Sequence, residues 1–386
     1  MHVLHVISGL EPENGGPTAA LAGHCRAMTA AGGRCSVVST WKFRSSFQMA
    51  EDLEKDSIPV TLLGPTRRPF RTHRDMDDVL TKAIAAHDVV HIHAVWEWIE
   101  HRAAVLARRA NKPYVWTPHG MLDEWNMRRN GWFKRACMTA YLRRDLNAAA
   151  AIHVASEFEA RNVGRLRLRA PTYLQGFGLD ASLLNADTPR GLFRTSLGLA
   201  DDVPLVLFLG RIQRGKGLET LVPALAKLKT TTARLVIAGP DEGDYRRHIE
   251  SLATTHGVAG RVTFVGMVGG DVKRQALADA NVLAAPSSHE SFGIAVAEAI
   301  ASGTPVAVSD QVGLADEITR HRLGYVAPLT VEATATAIDA AISVDADHRE
   351  RAKAFARQAF AWPAIAEAWR AKYAALVPSP GIPGEG

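Results

Sequence analysis

Short, almost wholly apolar runs rich in β-branched residues alternate along this chain with Ala/Leu-rich stretches of helical periodicity. In the first half the apolar runs are HVLHVI (2–7), CSVVST (35–40), VTLLG (60–64), DVVHIHA (88–94), YVWTP (114–118) and IHVAS (152–156). Near-continuous apolar character of this kind belongs to strands covered on both faces. Between the first two runs lies PTAALAGHCRAMTAAGG (17–33), which opens on proline and stops at Gly32-Gly33, as helices do. The alternation lapses over 178–202, a stretch rich in Asp, Gly and Leu without a strand pattern. It resumes with PLVLFLG (204–210), RLVIAG (234–239), VTFVG (262–266), NVLAAPS (281–287), PVAVSD (305–310) and GYVAP (324–328). The pattern predicts an α/β protein made of two doubly wound domains, each a parallel sheet with helices on both faces. The junction falls near 180–200, and the tail PSPGIPGEG (378–386) has the composition of a disordered segment.

Length agrees with that division, because 386 residues exceed the roughly 250–300 at which single cores stop growing. Only three cysteines are present, Cys25, Cys35 and Cys137, and their wide spacing implies neither a disulfide framework nor a zinc cluster. A reducing, cytoplasmic setting is the simplest expectation. The opening MHVLHVISGLEP is too short and interrupted for a signal peptide, and no run of about 18 apolar residues occurs. Charge changes the picture more. Residues 121–170 carry ten basic side chains against five acidic ones, an excess equal to the +5 of the whole chain. Such a local basic face points to an anionic partner.

Open α/β sheets bind ligands beyond the carboxyl ends of their strands, and the chain's unusual residues fall there. EPENGGPT (11–18) sets Gly15-Gly16 before a helix, where backbone amides can approach an anion. A plain tight turn has the same sequence, and this is not the GxGxxG fingerprint. TPHGML (117–122) puts His119 at a strand end, suited either to bonding a substrate or to a structural role. In GRIQRGKGLETL (210–221), Arg211 and Lys216 flank a glycine turn before a helix, a fork and a point charge that suit a pyrophosphate. On their own they equally describe a solvated loop. In SSHESFGIAVAEAIASGTP (287–305), Ser291 is a candidate N-cap and Gly293 leaves the first helical amides open. Glu290 then lies before the helix and Glu298 about one and a half turns into it. Carboxylates accept from vicinal hydroxyls, so two acids at this spacing suit a nucleotide sugar, with a sugar ring at each.

Taken together these segments carry a family resemblance. ESFGIAVAE (290–298) resembles the E-x7-E motif of retaining GT-B glycosyltransferases of family 4, the mannosyl/glucosyl-transferase-like group. The likeness extends in order through the Gly-Gly-Pro loop, DVVHIHAVW (88–96), TPHGM (117–121), GRIQRGKG (210–217), VTFVGMV (262–268) and SGTPVAVSDQVGLADEI (302–318). It implies a GT-B fold, two Rossmann-like domains facing each other across a cleft, and transfer of a hexose from a UDP- or GDP-linked donor. The implied acceptor is a glycan or lipid-linked glycan in polysaccharide biosynthesis. Arg211 and Lys216 are then expected to neutralise the departing diphosphate. Glu298 would hold the ribose. Glu290, with the backbone of Ser291, Phe292, Gly293 and Ile294, would bind the transferred sugar. The backbone around Val265 and Met267 would meet the base, His119 the sugar, and Gly15 and Gly16 the phosphates. Two positions depart from the family pattern: Phe177-Gly178 stands for its usual Asn-Gly, and Gly313-Leu314 for its frequent Gly-Gly.

The implied domains are 1–185 on the acceptor side, 186–361 for the nucleotide sugar, and a helix over 362–377 crossing back to the first. In that helix Trp362, Ala366, Trp369 and Tyr373 recur at helical spacing. No metal is expected. DMD (75–77) and DAD (345–347) fall in polar helical stretches, and HIH (91–93) reads as core or cleft packing. Two cations and a helix N-terminus suffice for the phosphate. A GT-B-fold epimerase and a catalytically silent sugar-nucleotide binder are the competing classes, and no nucleic-acid partner is expected. The segment 121–146 mixes Trp125, Trp132, Phe133 and Tyr141 with basic residues. It reads either as an amphipathic helix pair packed on the first sheet or as a peripheral contact with anionic lipid at the inner membrane face.

Overall fold

Each apolar run becomes a strand in the computed structural model, which describes residues 1–11, 15–42, 45–66, 70–185, 187–345 and 347–377. The first sheet is built from β1 (His2–Ile7), β2 (Arg34–Thr40), β3 (Val60–Leu63), β4 (Val89–His93), β5 (Tyr114–Thr117), β6 (Ala151–Val154) and β7 (Thr172–Leu174). The second contains β8 (Leu205–Leu209), β9 (Arg234–Ala238), β10 (Val262–Gly266), β11 (Val282–Ala285), β12 (Val306–Ser309) and β13 (Gly324–Ala327). The strand orders are β3-β2-β1-β4-β5-β6-β7 and β10-β9-β8-β11-β12-β13, and every strand pairing within them is parallel. Both sheets are Rossmann-like, with order reversing between β1 and β4 and between β8 and β11. Strand β7 had no signature in the sequence pattern, because it is a three-residue edge whose side chains are exposed or half-buried. The strandless stretch holds two short helices, Ala181–Leu184 and Leu192–Ser196.

The chain divides into two compact units, Met1–Gly178 with the segment from Trp362 onward, and Leu179–Ala361. The first boundary thus precedes the expected 185 by several residues. Leu179 forms a parallel bridge with Ala361 and donates its N–H to the Phe360 carbonyl at 2.9 Å. The Ala181–Leu184 helix packs against the Ile294–Ala301 and Asp347–Ala359 helices, which commits it to the second unit. The expected tail 378–386 lies outside the described residues.

In the first unit the Gly16–Ala30 helix covers one face of the sheet, and the Trp362–Leu376 helix packs on it. Trp369 and Tyr373 are buried among Val3, Leu21, Cys25 and Val115. Trp362 seats against backbone that tolerates no side chain. A Cβ at Gly23 or at Gly178 would lie 2.4 Å from its ring. The opposite face is filled by Leu4, Val6, Ile92, Ile99, Trp116 and Leu142. In the second unit Phe208, Leu221, Ile237 and Ile338 centre the core. Among the described residues no helix is long and apolar enough to cross a membrane.

Candidate active site

In the second unit the strand-end loops at the order reversal are tied together by backbone before any charge is considered. After β8 the chain turns through Gly215 to Gly217 and enters the Leu218–Lys227 helix. Gly217 has φ +79, and a Cβ there would sit 1.8 Å from the Pro286 carbonyl oxygen, so only glycine permits this approach. Ser288 donates its N–H to the Gly215 carbonyl at 2.9 Å. The loop after β8 is thereby fixed against the loop after β11.

Glu290 is held from the other side. Its N–H donates to the Gln311 carbonyl at 3.0 Å, and its carbonyl accepts from Gly313 N–H at 2.8 Å. Its carboxylate receives a charge-assisted hydrogen bond from Lys216 Nζ. Two residues that lie 74 positions apart are therefore one ion pair, partly exposed at the strand ends. The helix that follows begins at Ile294, and its N-cap is Gly293 at φ +95, not Ser291. The left-handed residue starts the helix two positions later and supplies no side-chain cap, so the first amides stay open to a ligand. Phe292 turns its ring into the core, 5.9 Å from Phe360, leaving its backbone as the part available at the turn.

Glu298 lies in this helix, 8% exposed, and accepts from Lys273 Nζ at 2.6 Å. Burial raises its pKa, with a further push from Asp180, while Lys273 opposes the rise. Arg211 donates to Glu242 at 3.1 Å, so the structure pairs it with a carboxylate from the β9 side and not with Lys216 or Glu290. Val265 is half-buried at the end of edge strand β10, and Met267 beyond it is 75% exposed.

The first unit brings His119 into a chain of imidazoles. His119 sits in the turn after β5 at φ +53, followed by Gly120 at φ +75. A non-glycine residue there stores backbone strain, which recurs at functional positions. The buried Glu159 carboxylate fixes the turn, accepting from Gly120 N–H at 2.6 Å and Ala155 N–H at 2.7 Å. His119 Nε2 lies 3.0 Å from His93 Nδ1, and His93 Nε2 lies 2.9 Å from His5 Nδ1. Phe177 stacks on the His119 ring at 5.7 Å. Burial, with His153 adding to it, pushes the His119 pKa down to about 3, which keeps the ring neutral. His91 and His93 do share one face, with ring centroids 4.2 Å apart. Gly15 caps the Gly16–Ala30 helix at φ +69, and residues 12–14 of that loop lie outside the described ones.

Sequence reading missed Lys273, Glu159 and Glu242. Each is one charge among several in its own segment, and its partner is 25, 39 or 31 residues away. The 121–146 segment folds as short helical pieces, Glu124–Arg128, Gly131–Cys137 and Arg143–Asn147, with a π-helical turn at Met138–Leu142. Tyr141 packs on the core, whereas Trp132 is 76% exposed and Trp125 39% exposed.

Residues 190–359 match the family model described as glycosyl transferases group 1, and residues 14–175 match that of glycosyltransferase family 4. Each of the two units thus carries a match to a glycosyltransferase family model, and the two parallel sheets make the fold that of GT-B glycosyltransferase structures. An uncharacterized glycosyltransferase of Methanocaldococcus jannaschii is 39% identical over 182 residues, 45% of this chain and 46% of that protein. A D-inositol 3-phosphate glycosyltransferase of Xylanimonas cellulosilytica is 33% identical over 280 residues, 68% of this chain and 64% of the relative. The chain therefore spans about half to two thirds of the length of these relatives. An Anabaena protein crystallised with UDP and glucose has the same fold, with a TM-score of 0.78 at 20% identity. That match covers 97% of this chain and 100% of the Anabaena one.

Proposed function

We propose that this protein is a retaining hexosyltransferase that draws on a UDP- or GDP-linked sugar and delivers the hexose to a glycan or lipid-linked glycan. The observation that carries the reading is the Lys216–Glu290 pair at the β8/β11 reversal, directly before the open amides of the Ile294–Ala301 helix. A cation, a carboxylate and helix amides at one strand edge can bind phosphate and sugar hydroxyls together. Lys216 and Arg211 neutralise the leaving diphosphate, which removes the need for a metal there. Glu298 holds the ribose, Glu290 and the amides of Phe292 to Ile294 hold the hexose, and the backbone of Val265 to Met267 receives the base. In the first unit, neutral His119 hydrogen-bonds the transferred sugar, and Gly15-Gly16 offer amides to phosphate.

The acceptor is anionic or membrane-borne in this reading. The excess of basic residues in 121–170 and the exposure of Trp125 and Trp132 support it. The name of the inositol-phosphate relative is in keeping with a charged acceptor. Flotation with anionic and neutral liposomes at low and high salt tests the membrane part. Absence of binding at low salt would favour a freely dissolved acceptor.

The donor half is tested by thermal shift against UDP- and GDP-linked hexoses, followed by NMR of the product anomer with and without EDTA. Retained configuration and unchanged rate in chelator are expected. An inverted product, or activity lost to EDTA and restored by magnesium, would refute the respective half. A free nucleotide sugar that changes without any acceptor would make the protein an isomerase.

A further inference from the structure

Behind His119, the first unit encloses a group of side chains that sugar transfer leaves unassigned. Cys25, on the Gly16–Ala30 helix, and Cys35, on β2, are free thiols with 0% and 2% exposure. One ligand atom each from Cys25, Cys35 and His5 fall within 4.8 Å of one another. His5, on β1, is fully buried. Its Nδ1 lies 2.9 Å from His93 Nε2, but its Nε2 has no hydrogen-bond partner among the described residues. A buried polar atom left unpaired costs about 1–3 kcal/mol, and native interiors seldom leave one without a reason. Sulfur is a weak hydrogen-bonding partner for imidazole, but two thiolates and an imidazole form a strong donor set for soft metal ions.

We infer that Cys25 Sγ, Cys35 Sγ and His5 Nε2 bind a thiophilic d10 metal ion, Zn(II) or Cu(I), which clamps the Gly16–Ala30 helix to β1 and β2. Binding displaces the protons of both thiols to solvent and leaves the imidazole neutral. The other nitrogen of His5 then donates to His93, the orienting hydrogen bond that metal-bound histidines make. Zn(II) takes a fourth ligand, for which His24 is the candidate. Its ring and that of His91 each offer a nitrogen within 4.8 Å of one on His5; both His91 nitrogens are engaged, by Tyr373 and Thr117 at 2.6 Å each, whereas His24 has Nε2 engaged, by Tyr373 at 3.1 Å, and would ligate through Nδ1. Cu(I) is satisfied by three ligands. The buried position means the ion enters as the unit folds, and the donor-sugar chemistry has no call on it.

The test uses the full chain, purified without chelator and also refolded with Zn(II), Cu(I) or Co(II). About one equivalent of Zn(II) or Cu(I) should survive gel filtration, and which of the two is retained identifies the ion. Refolding with Co(II) should give a sulfur-to-cobalt charge-transfer band. Cys25→Ser, Cys35→Ser and His5→Gln should each weaken binding by about 100-fold, whereas Cys137→Ser should retain the metal. Folded wild-type protein that retains neither ion, or a Cys25–Cys35 disulfide found by non-reducing mass spectrometry, would overturn the inference.

Discussion

Lys216 and Glu290 meet as an ion pair across 74 residues of sequence, joining the loop after β8 to the loop after β11 at the point where strand order reverses. The pair is only partly exposed, so each charge holds the other ready in the absence of ligand. On the proposed reading, Lys216 exchanges its carboxylate for the diphosphate as negative charge develops there. Lys216→Ala and Arg211→Ala should each lower kcat on the order of 10²–10³-fold with an unchanged circular dichroism spectrum. An unaltered kcat in either variant removes that residue from the chemistry.

Glu298 and Glu290 should separate by assay. Glu298 is buried against Lys273, whereas Glu290 stands half-exposed before the helix. Glu298→Ala should weaken binding of the free nucleoside diphosphate about tenfold, the worth of ~1.4 kcal/mol. Glu290→Ala should leave that affinity near wild type while damaging transfer. Calorimetry with nucleotide alone compares them, and equal losses would refute the division of roles.

Gly217→Ala tests the backbone contact between the loops. The substitution adds a Cβ 1.8 Å from the Pro286 oxygen at φ +79. Chemical denaturation should show a loss of about 2 kcal/mol or more, through combined strain and displacement. A change within about 0.5 kcal/mol would mean the loops part freely.

The imidazole cluster makes stability depend on pH. Burial lowers the pKa of His24, His91 and His93 well below the ordinary 6.5, that of His153 to about 4, and that of His119 to about 3. Between these values and 6.5 the unfolded chain binds protons that the folded chain refuses. The stabilisation is complete above pH 6.5 and is lost as pH falls from there, through about 4 for His153 and about 3 for His119. Each ring contributes a slope of about 1.4 kcal/mol per pH unit within its window. Denaturant midpoints at pH 7.5, 6.5 and 5.5 should fall in order, and equal midpoints would show that the rings are protonated in the folded state.

Strand positions were legible because buried parallel strands are nearly continuous apolar runs, and β1 and β10 fall on the expected residues. Strand β7 was not, since an exposed three-residue edge has no period to detect. Among site residues, Glu290, Glu298, Lys216 and Arg211 stood out by standing at strand ends within a motif. Their partners did not. Lys273 and Glu242 are ordinary helix and loop charges until the sheet brings them beside Glu298 and Arg211. The N-cap was misplaced because Ser291 has the right chemistry, while the left-handed turn available to Gly293 moves the helix start. Cys25 and Cys35 looked unrelated in sequence because one lies on a helix and the other on the next strand.

The first unit takes Trp369 and Tyr373 into its core from a helix that follows the whole of the second unit in sequence. During synthesis, the Leu179–Ala361 unit is continuous and can close as soon as its own residues have left the ribosome. The earlier-made sheet must wait, with the seat for Trp362 at Gly23 and Gly178 open and the apolar pocket around Leu21 and Val115 uncovered. Domains ordinarily complete in the order in which they are made; here the first unit lacks part of its core until residues beyond the second unit are available. The first stays the vulnerable half of the nascent chain, and the one a chaperone would hold, until residue 373 emerges.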